Sequence, residues 1–184
     1  MDRNKNIIIG IDPGSNKMGY GIISVFGKKI EFVAMGYIDL SKFDTHALKL
    51  KHIYERVSGL VNEYKPDAVA FEAPFFGENV QSMLKLGRAQ GVAIAAAASY
   101  TSEIFEYSPT KVKIAVAGNG RATKEQVANM LKSTLGLEEL PKNLDSTDGL
   151  AVAMCHYYQT MSSFSKSNSK SWGDFVKQNP ERIK

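Results

Sequence analysis

Three apolar segments set far apart in the chain each meet acidic residues at one end, and this pattern constrains the fold more than any other feature. Ile7-Ile8-Ile9-Gly10-Ile11 ends on Asp12, and Ala68-Val69-Ala70-Phe71 ends on Glu72. Asp145 and Asp148 open the apolar-periodic segment Leu150-Ala151-Val152-Ala153-Met154. Short, continuous apolar runs of the first kind suit strands buried on both faces, while the third run continues as a helix. Two strand ends and a helix start can then converge on one point bearing four carboxylates.

The chain has 184 residues, 43% of them hydrophobic, enough for one domain that buries roughly 70% of its unfolded surface. The lone Cys155 excludes an internal disulfide and a cysteine-based zinc cluster, and a small buried helix residue is its simplest reading. The longest apolar stretch, Gly91 to Ala98, is far short of the roughly 18 residues of a membrane span. The opening Met1-Asp2-Arg3-Asn4-Lys5-Asn6 carries no secretory pattern, so a cytoplasmic location and no membrane association are expected.

The formal net charge of +4 is uneven, because residues 162–184 hold five basic and two acidic side chains. Residues 108–132 carry Lys111, Lys113, Arg121, Lys124 and Lys132 against Glu125 alone, whereas 138–148 carry four acids against Lys142. A basic stripe beside an acidic focus suits a polyanion that must be brought to metal ions, and a solvated helix face would also produce the stripe.

Along the chain, residues 6–12, 19–26 and 30–38 read as a three-stranded meander, with Pro13-Gly14-Ser15-Asn16 as the first turn. Apolar positions at Leu50, Ile53, Tyr54, Val57, Leu60, Val61 and Tyr64 predict an amphipathic helix over 44–64, ended by Lys65-Pro66. A buried strand over 67–72 follows, then an alanine-rich helix over 79–99 without Asp or Glu, and a strand over 104–107. Ser108-Pro109 and Thr123 each have the chemistry of a helix start, with flexible Gly118-Asn119-Gly120 between them. The last helix is expected over 145–160. One domain of residues 1–161 is expected, followed by a serine-rich, basic, flexible tail over 162–184 in which Trp172, Phe175 and Val176 could dock locally.

Magnesium takes hard oxygen ligands at about 2.0–2.1 Å, and two such ions about 3.5–4 Å apart can activate water and stabilise a departing 3′ oxygen in phosphodiester hydrolysis. Crowded carboxylates repel one another and resist burial, and divalent cations remove that conflict. Asp145 and Asp148, three residues apart, share one helix face near a dipole end that tolerates negative charge. Taken singly, each acid has a plainer reading: Asp145-Ser146-Thr147-Asp148 as a helix cap, Asp12-Pro13-Gly14 as a turn, Glu72 as a surface residue at a strand end. Only the combination is specific.

Gly10-Ile11-Asp12-Pro13-Gly14-Ser15 followed by Gly19-Tyr20-Gly21 resembles the opening of the RuvC-type Holliday-junction resolvases. The likeness continues through Glu72, Phe75, Asn79, Ser82 and the run Leu84-Lys85-Leu86-Gly87-Arg88-Ala89-Gln90-Gly91-Val92-Ala93-Ile94. Phe105-Glu106-Tyr107, Val112-Lys113, Gly118-Asn119-Gly120, Lys124 and Asp145-Ser146-Thr147-Asp148-Gly149-Leu150-Ala151 complete it, over about residues 6–160.

The resemblance implies an α/β, ribonuclease H-like fold with a mixed five-stranded sheet flanked by helices. It implies an endonuclease that makes symmetric paired nicks in Holliday junctions during recombination and repair, using two magnesium or manganese ions. Asp12, Glu72, Asp145 and Asp148 would be the metal ligands, with one carboxylate helping to orient water. Lys113 and Lys124 would sit near the cleaved strand, where ordinary surface lysines are the alternative. Phe75 would stack on bases at the junction centre, with core packing as its alternative. Lys85, Arg88, Lys111 and Arg121 would make further DNA contacts. A homodimer through the 79–99 helix and a RuvA and RuvB branch-migration assembly are the implied partners, twofold symmetry matching two equivalent strands. Gly149, where alanine is usual, and Pro74 before Phe75 depart from the family pattern. Gly149 costs about 1 kcal/mol of helix propensity while allowing a close backbone approach.

Other readings must be weighed. Ile-Asp-Pro-Gly-Ser after a strand also resembles the first phosphate turn of actin-like sugar kinases and ATPases, but those need two such domains and a second glycine-rich turn. A related ribonuclease H-like nuclease acting on RNA or non-junction DNA is a nearer competitor. A non-catalytic junction-binding module would have no need of all four acids.

Overall fold

Alternation along β1 (Lys5–Asp12) divides its apolar run between two cores. Ile8 packs with Leu150, Val152 and Met154 on one face, whereas Ile9 and Ile11 pack with Ile53, Val57 and Leu60 on the other. The computed structural model describes residues 5–74, 79–141 and 143–167. Phe75, one of the expected DNA contacts, therefore lies outside the described residues, as do Trp172, Phe175 and Val176.

β1, β2 (Lys17–Phe26) and β3 (Lys29–Asp39) form the expected antiparallel meander. A bulge at Val33 shifts the β2/β3 register, pairing Ile22 with Ala34 but Ile23 with Phe32. β4 (Ala68–Glu72) adds to β1 in parallel, and β5 (Ile104–Tyr107) adds in parallel to β4. The strand order β3-β2-β1-β4-β5 gives the mixed five-stranded sheet that the resemblance implies.

α1 (His46–Tyr64) and α2 (Val80–Ala98) cover the Ile9/Ile11 face. Thr45 caps α1 by accepting from the Leu48 amide, and Lys65 ends it in the left-handed conformation at φ 47° before Pro66. The small residues Ala89, Ala93, Ala96 and Ala97 turn inward and are buried, which lets α2 lie close to its neighbours. α3 (Pro109–Ala117) and α4 (Lys124–Leu135) begin where the sequence predicts, at Ser108-Pro109 and at a reciprocal capping box between Thr123 and Gln126.

α5 (Asp145–Ser167) lies across the opposite face, on β1 and β2. It continues past the expected end at 160, because Tyr157, Tyr158 and Met161 keep apolar contacts with the core. α5 reaches the sheet at backbone distance. A Cβ at Gly10 would strike the Ala153 amide and Gly149 carbonyl, and one at Gly21 would strike the backbone of Leu150. Gly149 itself meets the Tyr20 backbone, so the departure from alanine corresponds to a direct helix-on-strand contact.

Gly10→Ala should therefore force α5 off β1 and cost about 1–3 kcal/mol, as overpacking typically does. Urea unfolding checks this; a midpoint equal to that of the parent protein would show that the helix has room to spare.

Candidate active site

The parallel register pairs Ile11 with Phe71, so the next residue on each strand, Asp12 and Glu72, stand side by side at the carboxyl ends of β1 and β4. Both share the parity of Ile8 and Ala70 and so belong to the face covered by α5. α5 presents its first turn to the same place. Helix capping does not occupy its acids: the Asn143 side chain accepts from the Asp145 amide at 3.1 Å, leaving both carboxylates to point elsewhere. They meet the Lys124 ammonium, which donates to Asp148 at 2.6 Å and to Asp145 at 3.2 Å. Lys17 approaches Asp145 at 3.6 Å from the other side.

Asp12, Glu72 and Asp148 line one cavity of ≈ 500 Å³ together with Lys113 and Lys124. Asp145 stands at its edge through the shared lysine. The three sequence segments thus converge, and five of the six side chains expected to act in catalysis face a common space.

Electrostatics mark the same group. Burial, then repulsion from Asp148, pushes the Asp12 carboxyl up to about 7, with Lys124 opposing and Asp145 adding to the rise. Burial, then Asp12 and Asp148, pushes Glu72 up to about 8, against the pull of Lys113 and Lys124. Burial works to lower Lys124, but its bonds to Asp148 and Asp145 outweigh this and hold it protonated. For Asp145 burial acts upward, and Lys124 and Lys17 more than offset it, so its carboxyl sits below the usual value.

Among the described residues, no three His, Cys, Asp or Glu side chains are gathered tightly enough to enclose one ion as they stand. The carboxylates form one coupled electrostatic site, part of whose charge is answered by Lys124. Its donors are all hard oxygens, a set that suits magnesium or manganese. Crowded, partly buried carboxylates of this kind are stabilised by a divalent cation, so the residues fit the group.

The other expected DNA contacts disperse. Lys111, on α3, lies 4.9 Å over the Tyr107 ring, and Arg121 is exposed in the segment before α4, its amide donating to Asn119. Lys85 and Arg88 are exposed on α2, away from the cavity that holds the acids. Sequence reasoning missed Lys17, Asn143 and Gln90. Lys17 shares strand parity with Gly19 and Gly21, a signal that places it toward α5. Gln90 has no such signal: its amide donates to Glu106 at 2.6 Å and to the Glu72 carbonyl at 3.4 Å, bracing the end of β4 across a fold contact.

Acids at the carboxyl ends of two adjacent parallel strands, beside an antiparallel hairpin and opposite a helix start, define a ribonuclease H-like nuclease architecture. The sequence model of the family described as Crossover junction endodeoxyribonuclease RuvC matches residues 8–156. A protein of that description from Cytophaga hutchinsonii is 55% identical over 178 residues, covering 97% of this chain and 88% of the relative. One from Porphyromonas gingivalis is 50% identical over 189 residues and covers all of both chains. The solved structure of Thermus thermophilus RuvC with a Holliday junction substrate is 33% identical, with a TM-score of 0.78, over 84% of this chain and 94% of that one. The chain belongs to the RuvC family of crossover junction endodeoxyribonucleases.

The raised carboxyls carry a consequence for stability. Between the unfolded carboxylate values near 4 and the folded values near 7 and 8, the folded state binds more protons than the unfolded one. Stability in the absence of divalent ions should therefore fall as pH rises from 5 to 8. Urea midpoints at those two pH values check this: Asp12→Asn should flatten the dependence, and equal slopes for parent and variant would count against the assignment.

Proposed function

We infer that this protein resolves Holliday junctions by hydrolysing phosphodiester bonds at the acidic cavity, making paired nicks in recombination and repair. The observation that carries this reading is the meeting of Asp12, Glu72, Asp145 and Asp148, from three distant segments, beside Lys113 and Lys124. Those four acids would hold two magnesium or manganese ions, which when bound supply an activated water and counter-charge for the departing 3′ oxygen.

The chain's own groups do the rest. Lys113 and Lys124 meet the non-bridging oxygens of the scissile phosphate and hold it against the carboxylates. Asp145, held ionised by Lys124 and Lys17, anchors the lysine in place, and one of the four carboxylates would orient the attacking water. Water adds to phosphorus, the bond to the 3′ oxygen breaks, and a 5′ phosphate and a 3′ hydroxyl result.

Two active sites are needed for paired cuts, and α2 is suited to join two copies. Val80, Leu84, Gly87 and Gly91 recur at four, three and four along it, with Val80 64% and Leu84 50% exposed and open space over both glycines. Lys85, Arg88, Lys111 and Arg121 extend the basic surface around the DNA, and Phe75 would contact bases at the junction centre. No helix among the described residues is long and apolar enough to cross a membrane. On this reading the protein acts on chromosomal DNA beside RuvA and RuvB in the bacterial cytoplasm, with the nuclease domain running to the end of α5 and not stopping at 161, and the tail following it.

Asp12→Asn should abolish nicking of a synthetic four-way junction with magnesium while junction affinity stays within a few-fold of the parent. Lys124→Ala should slow cleavage about 10²-fold or more. Product mapping on labelled arms checks both, and symmetric nicks from Asp12→Asn at the parent rate would remove Asp12 from the chemistry. Leu84→Glu should shift sedimentation from dimer to monomer; a dimer of undiminished strength would place the contact elsewhere.

A further inference from the structure

The buried positions of α2 are alanines with one exception, a long polar side chain. Ala89, Ala93, Ala96 and Ala97 face inward, and Gln90 lies among them at 5% exposure. Burying a primary amide costs free energy unless its N–H groups find acceptors. Gln90 Nε2 finds two: it donates to a Glu106 carboxylate oxygen at 2.6 Å and to the Glu72 main-chain carbonyl at 3.4 Å. The first bond is short and ties α2 to β5. The second is longer and reaches the residue whose side chain lines the acidic cavity.

Glu72 stands where the sheet holds it least. It is the last residue of β4, and the ladder to β1 ends one pair earlier, at Ile11 and Phe71. On the other side its register partner is Tyr107, whose carbonyl accepts from the Ala73 amide at 2.8 Å. Strand ends fray more readily than strand interiors, and crowded carboxylates drive one another apart. Because side chains alternate along a strand, Glu106 shares the α1/α2 face with Ile104, while the Glu72 carboxylate emerges on the α5 face with Ala70. Gln90 therefore holds Glu72 from behind, through its backbone, without entering the cavity.

We propose that Gln90 is a positioning residue for phosphodiester cleavage, fixing the Glu72 carboxylate beside Asp12 by tethering the end of β4 to α2 and β5. The proposal rests on the function inferred above. Groups that orient a metal-ligating carboxylate are worth about 10–100-fold in metal affinity or activity, and misplacing a reacting group by about 1 Å can cost about 10²-fold in rate. The same helix bears the outward stripe of Val80, Leu84, Gly87 and Gly91 suited to joining two copies, with Gln90 on its inward side. One helix thus serves the subunit contact and the active site from opposite faces.

The test uses the full chain. Gln90→Met keeps an unbranched side chain of similar length and removes the donors, whereas Gln90→Arg restores N–H donors in a planar group able to serve a carboxylate and a carbonyl together. Glu106→Ala, at an exposed position, releases the same amide from β5 and provides a second variant that does not disturb the buried face of α2. With saturating four-way junction and magnesium, the single-turnover cleavage rate of Gln90→Met should fall about tenfold, and Gln90→Arg should recover most of it. Junction affinity without metal should stay within about twofold of the parent. Mn2+ binding to the protein alone, read by electron paramagnetic resonance, should weaken about tenfold in Gln90→Met and in the same direction in Glu106→Ala. In a Glu72→Gln background, Gln90→Met should change Mn2+ binding by less than about twofold, because a residue that acts through Glu72 then has nothing left to position. Parent-like rate and Mn2+ affinity in both Gln90→Met and Glu106→Ala, an equal loss in Gln90→Arg, or a further loss of about tenfold in the Glu72→Gln background would overturn the positioning role and leave the resolvase reading intact. A parent protein that neither cuts junctions nor binds Mn2+ would overturn both.

Discussion

The structure depends on the closeness with which α5 meets the β1–β2 hairpin. Where Gly10, Gly21 and Gly149 lack side chains, helix backbone rests on strand backbone, nearer than two layers separated by side chains can come. The first turn of α5 is thereby delivered to the ends of β1 and β4. A helix standing one side-chain layer further out would leave Asp145 and Asp148 unable to share a site with Asp12 and Glu72. The glycines are thus part of the machinery although none of them touches a reacting atom.

That closeness creates an electrostatic conflict. Burial and mutual repulsion lift Asp12 and Glu72 toward neutral pH, and Lys124 draws Asp148 and Asp145 to itself. The fold supplies part of the counter-charge through Lys124 and Lys113, and the repulsion that remains is of the kind a bound cation relieves. Folding stability and the capacity for chemistry are opposed here, as is common where a site gathers like charges. Gln90 and Asn143 act outside the charge cluster, one bracing the end of β4 and the other taking the capping work that Asp145 would otherwise perform.

The two faces of the sheet divide the remaining work. The α3/α4/α5 side carries the acids together with Lys113 and Lys124. The α1/α2 side carries an inward alanine stripe, an outward apolar stripe, and a cationic cluster near His46. Each helix start on that side is free of acids, in contrast to α5, whose first turn holds two.

Much was legible in the chain before any fold was seen. Ile7 to Ile11 and Ala68 to Phe71 read as buried strands ending on acids, and Ser108-Pro109 and Thr123 marked helix starts, because these signals are local and depend on side-chain chemistry a few residues apart. Identity of the four acids and the family likeness were readable for the same reason. Sequence did not show that α5 would continue past 160, since that extension depends on Tyr157, Tyr158 and Met161 finding the core. Nor did it assign Lys17 to Asp145, Gln90 to the back of Glu72, or the dispersal of Lys85 and Arg88 from the acidic cavity. Order along the chain determined which groups this protein owns, while parallel pairing of β1 with β4 and the glycine contact of α5 decided which of them meet, because proximity between distant segments is set by packing and register and not by spacing in the chain.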